Sequence, residues 1–268
     1  MEINLLMKTS YSILLATLSL IFWLSSINAQ NSPLNIYTKK EKGIEAVQKD
    51  SLFSIQFQFR MQNRAGYLST SETDLTPEQF EFRVRRLRMR FKGFVLNPKL
   101  NYYIQLSFSR GDMDWDDTQA SSINNSPNVV RDAVISYNLS PKFQVAFGQT
   151  KLPGNRQRVI SSGNLQFADR SIVNATFNID RDFGVQYRLN QSVGKMPVKL
   201  AAAITTGEGR NITATNEKNG LAYTGRLEFY PLGNFSNKGG YFSADLVREA
   251  KPRLAIGVTS SINENTNR

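Results

Sequence analysis

The stretch FSIQFQFRM, residues Phe53–Met61, decides the fold, because apolar and polar residues alternate along its whole length. Successive side chains of a β-strand point to opposite faces of the sheet, whereas a helix would spread these apolar residues around its circumference. The stretch FEFRVRRLRMRFK, residues Phe80–Lys92, alternates in the same way but shifts by one residue at Arg85-Arg86. One inserted residue in a strand is typical of a β-bulge. The two stretches therefore predict neighbouring strands, each with one apolar and one polar face.

Alternation of this kind continues, more weakly, to the end of the chain. Together with the first two strands it gives about eight to ten strands of roughly the nine to eleven residues that a tilted membrane strand needs. The further predicted strands are Leu100–Phe108, Ala133–Leu139, Phe143–Phe147, Phe183–Leu189, Val198–Ile204 and Tyr223–Phe229, with two more candidates at Tyr241–Val247 and Leu254–Ser260.

The connections between these strands alternate between short and long. Asn97-Pro98 and Ser140–Lys142 are short turns, whereas Arg110–Asn128 and Gln149–Asp182 are long. Short periplasmic turns and long outer loops are typical of outer-membrane barrels. The fold class predicted from the sequence is therefore all-β, an antiparallel transmembrane β-barrel. The alternative is a soluble β-sandwich or jelly roll, whose strands usually have only about five or six residues.

The N-terminus has the features of an export signal. Lys8 precedes the apolar run Tyr11–Leu24, which is 14 residues long, and Ala29 offers a small residue for cleavage. The run is shorter than the roughly 20 residues of a spanning helix, which argues against the alternative of a membrane anchor. We predict a signal peptide at 1–29, a periplasmic leader at 30–50 with a helical turn at Gly43–Lys49, and a barrel domain at 51–268.

The chain ends in a polar stretch from Ile262 to Arg268, whereas outer-membrane barrels normally end in a strand that closes the sheet. A sheet ending here would leave open edges, and lipid cannot satisfy unpaired backbone groups. We therefore expect the barrel domain to be incomplete at its C-terminus. The alternative is a small complete barrel with a polar tail.

Composition restricts the chemistry. The formal net charge is +11, which favours anionic partners, and export argues against nucleic acid among them. The chain has neither cysteine nor histidine, so relays and zinc sites built on those residues are excluded. We predict no enzymatic activity, no cofactor and no metal. Four acidic residues that could hold Ca²⁺ are interpreted as a solvated loop: Asp112, Asp114, Asp116 and Asp117.

The basic strand is the most informative feature for function. Arginines two residues apart on one strand face lie roughly 6–7 Å from each other and repel unless negative charge is near. The planar guanidinium fork can donate two hydrogen bonds to phosphate oxygens. The residues predicted to bind anions and line the interior on these strands are Arg60, Arg83, Arg85, Arg88 and Arg90.

Two alternatives for these arginines remain open. They can pair with Glu81, Asp112 or Asp132 as structural salt bridges, or lie at the membrane rim against lipopolysaccharide phosphates. The long connection after Phe147 adds Lys151, Arg156 and Arg158, with Arg170 and Arg181 further along. Long irregular loops in compact proteins tend to be functional, so we predict that Lys151, Arg156 and Arg158 also contact anions; the alternative is an ordinary surface loop.

The chain resembles the phosphate-selective porin O and P family in the form found in Bacteroidetes. The resemblance covers most of Lys49–Gly233, and the order and spacing of its pieces carry it. These pieces are KDSLFSIQFQFRMQ (Lys49–Gln62), FEFRVRRLRMRFKGFV (Phe80–Val95), NYYIQLSFSR (Asn101–Arg110), VRDAVISYNLSPKFQVAFGQTKLPGNRQR (Val130–Arg158), RDFGVQYR (Arg181–Arg188) and YTGRLEFYPLG (Tyr223–Gly233).

The resemblance implies a barrel of about 16 strands, commonly a homotrimer in the outer membrane, in contact with membrane lipid and lipopolysaccharide. It implies that small anions, phosphate or polyphosphate, pass a basic constriction. In that case Lys151, Arg156 and Arg158 lie on the inward loop, and the Arg83–Arg90 group lies in the lumen. The alternatives are a general or sugar-type porin, for which Tyr103 is the aromatic candidate, and a non-channel barrel.

Overall fold

The computed structural model describes residues 34–39, 43–48, 50, 52–109, 129–167, 169–211 and 220–266. Within these residues, eleven antiparallel strands form one sheet in sequential order, and each pairs only with its neighbours in the chain. No ladder between these residues joins the first strand to the last. The strands are β1 (Leu34–Lys39), β2 (Gly43–Gln48), β3 (Ser54–Ser69), β4 (Pro77–Val95), β5 (Asn97–Ser107), β6 (Val130–Asn138), β7 (Phe143–Lys151), β8 (Arg181–Val193), β9 (Met196–Thr205), β10 (Leu221–Phe229) and β11 (Ile256–Glu264).

In the part of the chain that the structure describes, helical structure is confined to three short elements between strands. They are α1 (Arg156–Val159), α2 (Ile172–Thr176) and a 3-10 helix at Ser236–Tyr241. No helix within the described ranges is long and apolar enough to cross a membrane. The predicted all-β antiparallel fold is confirmed.

The sheet buries its polar face and exposes its apolar face. On β3 the Phe59 and Met61 side chains are 53% and 56% exposed, whereas Gln56 is 7% exposed. On β4 the Arg88 side chain is buried. Proteins that fold in water place large apolar side chains inside, so this inverted pattern requires an apolar environment outside the sheet. Lipid supplies that environment in a membrane barrel, and alternation supplies the pattern.

The predicted β-bulge in the basic strand is confirmed. Gln62 pairs with Arg86 and Asn63 pairs with Val84, so Arg85 is the inserted residue. The bulge brings two consecutive arginines, Arg85 and Arg86, to the same carboxylate of Asp169.

Most predicted strands form with the expected partners, but three expectations are wrong. Tyr241–Val247 is not a strand: Asn237 and Lys238 have positive φ, which turns the backbone into the 3-10 helix. Gly43–Gln48 is β2 rather than a helical turn, because it pairs with β1 and β3. The stretch from Ile262 is not loop-like at its start, since Ile262 pairs with Tyr223 in the last ladder.

The turn asymmetry holds for most of the sheet and breaks at one place. A single residue, Leu96 with φ 65°, separates β4 from β5, and Gly194-Lys195 separate β8 from β9. By contrast, the connection Tyr230–Ala255 between β10 and β11 is long although it leaves the same edge as the short turns. We call it the returning segment.

The connection between β7 and β8, Leu152–Asp180, lies against the polar face of the sheet, and we call it the interior segment. Its Ser162 contacts Arg60 on β3, and its Gly154 contacts Arg226 on β10. Six strands separate β3 from β10 in the sheet order, so the sheet curves around the segment. Leu152 and Ile160 of this segment are among the few buried apolar side chains of the described residues.

Candidate functional site

Two arginines of the basic strands hold the middle of the interior segment. Arg60 and Arg88 are direct cross-strand partners. Arg60 Nη2 donates to Ser162 Oγ at 2.7 Å, and Arg88 Nη1 donates to the same oxygen at 2.9 Å. A Cβ on Gly163 would lie 2.4 Å from Arg60 Nη1, so a larger residue there would displace the end of the Arg60 side chain. The polar faces of β3 and β4 therefore dock the segment through one hydroxyl.

Asp169 holds a second point of the segment. Its carboxylate accepts from Arg64 Nη1 at 2.6 Å, and from Arg85 Nη2 at 2.8 Å and Nε at 3.2 Å. The hydrogen bonds from Arg85 lower the pKa of the Asp169 carboxyl, and the charge of Arg64 adds to the effect. Asp169 stays ionised under ordinary conditions and fixes the segment to the arginines around the bulge.

A buried ion-pair cluster fixes the return of the segment to the sheet. Arg181 Nε and Nη2 donate to the two oxygens of Asp132 at 2.9 and 3.0 Å, and Thr150 Oγ1 donates to Asp132 at 2.9 Å. Asp180 accepts from Arg181 Nη1 at 3.1 Å and also pairs with Arg158. This cluster connects β6, β7 and β8 to the segment, and so it sets where the segment enters the interior.

A cavity of about 350 Å³ lies between the interior segment and the sheet. Among the described residues, its walls carry seven arginines and one lysine against a single carboxylate, that of Asp132. We call it the basic cavity. The charged residues that line it are Arg88, Arg90, Arg131, Arg158, Arg170, Arg181, Arg188, Lys151 and Asp132.

Several of these cations make no carboxylate contact. Lys151 Nζ donates to the carbonyl oxygens of Arg158 and Ile160 at 3.0 and 3.3 Å, and Arg170 Nε donates to the Gln157 oxygen at 2.8 Å. Arg188 makes only long hydrogen bonds of 3.3 and 3.4 Å to side-chain amide oxygens. Within the described residues, no carboxylate lies within ion-pair distance of Arg90, Lys151, Arg170 or Arg188.

The electrostatic state of Arg158 shows how concentrated the positive charge is. Its side chain is buried, and that burial lowers the pKa of the guanidinium. The neighbouring charges of Arg181 and Arg170 lower it further. Arginine remains protonated in proteins, so the cations repel each other across the cavity. An anion entering the cavity would relieve this repulsion.

The structure brings together five of the eight predicted site residues. Arg88, Arg90, Lys151 and Arg158 line the basic cavity, and Arg60 binds Ser162, which also lines it.

The other three predicted residues lie elsewhere. Arg83 is half-exposed and pairs with Glu81 at 2.5 Å, as the salt-bridge alternative expected, and Arg85 is held by Asp169. Arg156 is exposed and faces the returning segment. Asp112 and its acidic neighbours lie outside the described residues.

Sequence reasoning missed Arg188 of the cavity and two residues that anchor the interior segment, Arg86 and Asp169. Arg188 follows Gln186 on the polar positions of β8, so the alternation was sufficient to find it. Arg86 was missed because a bulge puts two consecutive residues on one side. Asp169 carried no local signal, since its partner Arg64 lies 105 residues earlier in the chain.

The profile of the family described as phosphate-selective porin O and P matches residues 55–258. The match spans β3 through the start of β11, and so it includes the interior segment and every charged residue of the basic cavity. A search of the curated proteins found no match.

Proposed function

We propose, from the premise that the chain belongs to the phosphate-selective porin O and P family, that its anions pass through the basic cavity and that the interior segment is the constriction of the channel. Membership of the family indicates an outer-membrane channel rather than an enzyme. Phosphate is accordingly the solute of first interest.

One observation carries the proposal: among the described residues, seven arginines and one lysine face one carboxylate in the cavity beside the interior segment. Fixed charges at the narrowest part of a pore set its selectivity, because the field is least screened there. This excess of positive charge attracts anions and repels cations.

The ion-pair partners of the arginines distinguish those that hold the structure from those that we expect to contact the solute. Arg181 and Arg158 are tied to Asp132 and Asp180 and shape the cavity. Within the described residues, no carboxylate lies within ion-pair distance of Arg90 or Arg188, so their guanidinium groups can donate paired hydrogen bonds to phosphate oxygens. Conduction requires sites that bind the solute weakly enough to release it. Several cations that contact a passing anion one after another meet this requirement.

Polyphosphate belongs to the same proposal. Arg88 and Arg90 are two residues apart on β4, which corresponds to roughly 6–7 Å along a strand. A linear polyphosphate can therefore contact more than one arginine at a time. We extend the proposal to the remaining predictions from sequence: a cleaved signal peptide at 1–29, a leader at 30–50, contact with lipopolysaccharide, and a homotrimer.

Single-channel recording across a salt gradient tests the proposal. The refolded full-length protein in a planar bilayer should give a reversal potential of anion sign. Arg90→Gln and Arg188→Gln should each move the reversal potential towards zero and weaken the block of chloride current by phosphate. Arg83→Gln is the matched control, because Arg83 already pairs with Glu81 away from the cavity.

Two results would contradict the proposal. A reversal potential of cation sign for the unchanged protein would refute anion selectivity altogether. Equal effects of the Arg83, Arg90 and Arg188 substitutions would show that the cavity is not the selective part of the channel.

A further inference from the structure

A second cavity, of about 370 Å³, lies beyond the basic cavity towards the short-turn edge of the sheet. Lys151 and Arg188 line both cavities, whereas Gln186 of β8 lines only the second. A solute that leaves the basic cavity in this direction therefore enters the second one without leaving Arg188. We call it the Ala201 pocket.

The pocket has space at its floor because one residue there is small. Ala201 on β9 pairs with Arg188 on β8 and with Arg226 on β10, so it lies directly between two arginines. A methyl side chain at this position leaves room between the two long ones. Arg226 is fully engaged by Glu228, by the Gly154 oxygen and by Thr259, whereas Arg188 is not. Arg188 is thus the arginine of the pocket that can exchange its hydrogen bonds for bonds to a solute.

The opposite wall is apolar, in contrast to the basic cavity. It consists of Leu152, Pro153 and Val159 from the interior segment. The ring of Tyr241, from the returning segment, closes the end of the pocket. Inorganic phosphate has no apolar surface that this wall could bury. A wall of this kind favours a solute with a carbon skeleton.

The end of the pocket is held rigid by the residues around Lys199. Tyr230 and Tyr241 both donate to Glu228 Oε2 at 2.7 Å, which fixes the two rings. Lys199 Nζ lies 4.7 Å from the centre of each ring. Its charge is therefore positioned without a carboxylate ion pair among the described residues. Asn190, opposite Lys199 in the ladder, adds a side-chain amide to the lining.

We propose that the Ala201 pocket binds the organic part of phosphate monoesters, with sugar phosphates as the chemical class. This inference rests on the proposed function. The phosphate group stays on Arg188, with Lys199 as a second positive charge. The sugar ring packs on the Leu152–Val159 wall and on Tyr241, and Asn190 hydrogen-bonds a hydroxyl group. The site discriminates esters from inorganic phosphate by the apolar wall, which only the ester can use.

The test is block of chloride current by glucose 6-phosphate in single-channel recordings of the full-length protein. We expect it to block at concentrations where inorganic phosphate and glucose do not. Ala201→Phe fills the pocket without changing any charge, and it should weaken the block about tenfold, equivalent to about 1.4 kcal/mol. Ala202→Phe is the matched control, because Ala202 is on the opposite face of the same strand. A heat-modifiable gel shift confirms that each variant has folded.

The outcomes separate this inference from the function on which it rests. Equal block of the unchanged protein by glucose 6-phosphate and inorganic phosphate, with anion selectivity intact, would overturn the inference alone. Equal block of the Ala201→Phe and Ala202→Phe variants would do the same. If Ala201→Phe fails the gel shift, Asn190→Ala replaces it and should weaken block by glucose 6-phosphate while leaving block by inorganic phosphate unchanged. A cation-selective channel would overturn the proposed function and this inference together.

Discussion

Asp132 is the residue whose loss should most affect the stability of the interior. Its carboxylate is 1% exposed and accepts two hydrogen bonds from Arg181, which is 3% exposed, and one from Thr150. Asp132→Asn keeps the shape of the side chain and removes the charge. The Arg181 guanidinium then stays buried without its main counter-ion.

The expected magnitude follows from this burial. Removing one partner of a buried ion pair typically lowers the free energy of unfolding by about 3–5 kcal/mol. Asp180 also contacts Arg181 but is shared with Arg158, so it compensates only in part. We therefore expect a loss near the lower end, about 3 kcal/mol.

Guanidinium-induced unfolding in detergent micelles, followed by the circular dichroism of the sheet, measures the loss. Glu249→Gln is the matched control, because Glu249 and Arg253 form a long, partly exposed pair at 3.6 Å that should contribute at most about 1 kcal/mol, and Gln keeps an oxygen for the hydrogen bonds from Ser236. The double variant Asp132→Leu with Arg181→Met should recover much of the stability, since an apolar pair often replaces a buried ion pair without loss. If Asp132→Asn and Glu249→Gln cause equal losses, then lumen water screens the pair and the reasoning fails.

Two further predictions concern the attachment of the interior segment and the strain in the sheet. The folded-state pKa of Asp169 is lowered from 3.8, so its contribution is complete above that value and is lost only as the pH falls through the lower folded pKa. Limited proteolysis of the interior segment should be unchanged from pH 7 to pH 5, whereas Asp169→Asn should expose the segment at pH 7; exposure of the unchanged protein near pH 6 would contradict this. Gly148 has φ 127° and a Cβ there would lie 2.3 Å from the Ala133 oxygen, so Gly148→Ala should lower the free energy of unfolding by about 1–3 kcal/mol. Gly225→Ala, which meets no atom within 4 Å, should leave the guanidinium midpoint nearly unchanged.

The strands were predictable because their signal is local. Alternation along Phe53–Met61 reports directly which side chains meet lipid and which meet water, and no distant residue is needed to read it. The bulge at Arg85 was predictable for the same reason, since a change of phase is visible within a few residues. Such signals fail where the two faces are alike. β1 and β2 are mixed in polarity, and only the pairing of β1 with β2 and of β2 with β3 makes them strands.

Tyr241–Val247 shows the opposite failure. Its apolar residues suggested a strand, but the left-handed backbone at Asn237 and Lys238 redirects the chain just before it. Tyr241 then points inward to the Glu228 carboxylate. Neither the turn nor the carboxylate 13 residues away can be read from the pattern of the segment itself.

The sequence could predict which type of residue forms the candidate site, but it could not predict the contacts that these residues make. Polar-face arginines of β4 were expected inside, and their roles depend on which acids the interior segment brings to them. Arg85 meets Asp169, 84 residues later in the chain, and becomes an anchor. Arg90 meets no carboxylate of the described residues within ion-pair distance and stays open to a solute. Both lie on the same strand and looked equivalent in the sequence.

The division between anchored and open arginines follows from the physics of a charged interior. A column of guanidinium groups without counter-ions would repel the interior segment and open the fold, whereas full neutralisation would remove the field that attracts anions. The chain places acids at two points, Asp169 within the interior segment and Asp132 with Asp180 where the segment returns to the sheet. Other cations are held by carbonyl and hydroxyl oxygens: Lys151 by backbone carbonyls and Arg88 by the Ser162 hydroxyl. Neutral acceptors fix the position of a cation and leave its charge for the solute. If the cavity conducts anions as proposed, the anchoring of the segment depends mainly on Asp169 and Asp180, whereas the selectivity depends on the arginines without such partners, so substitutions should change one without the other.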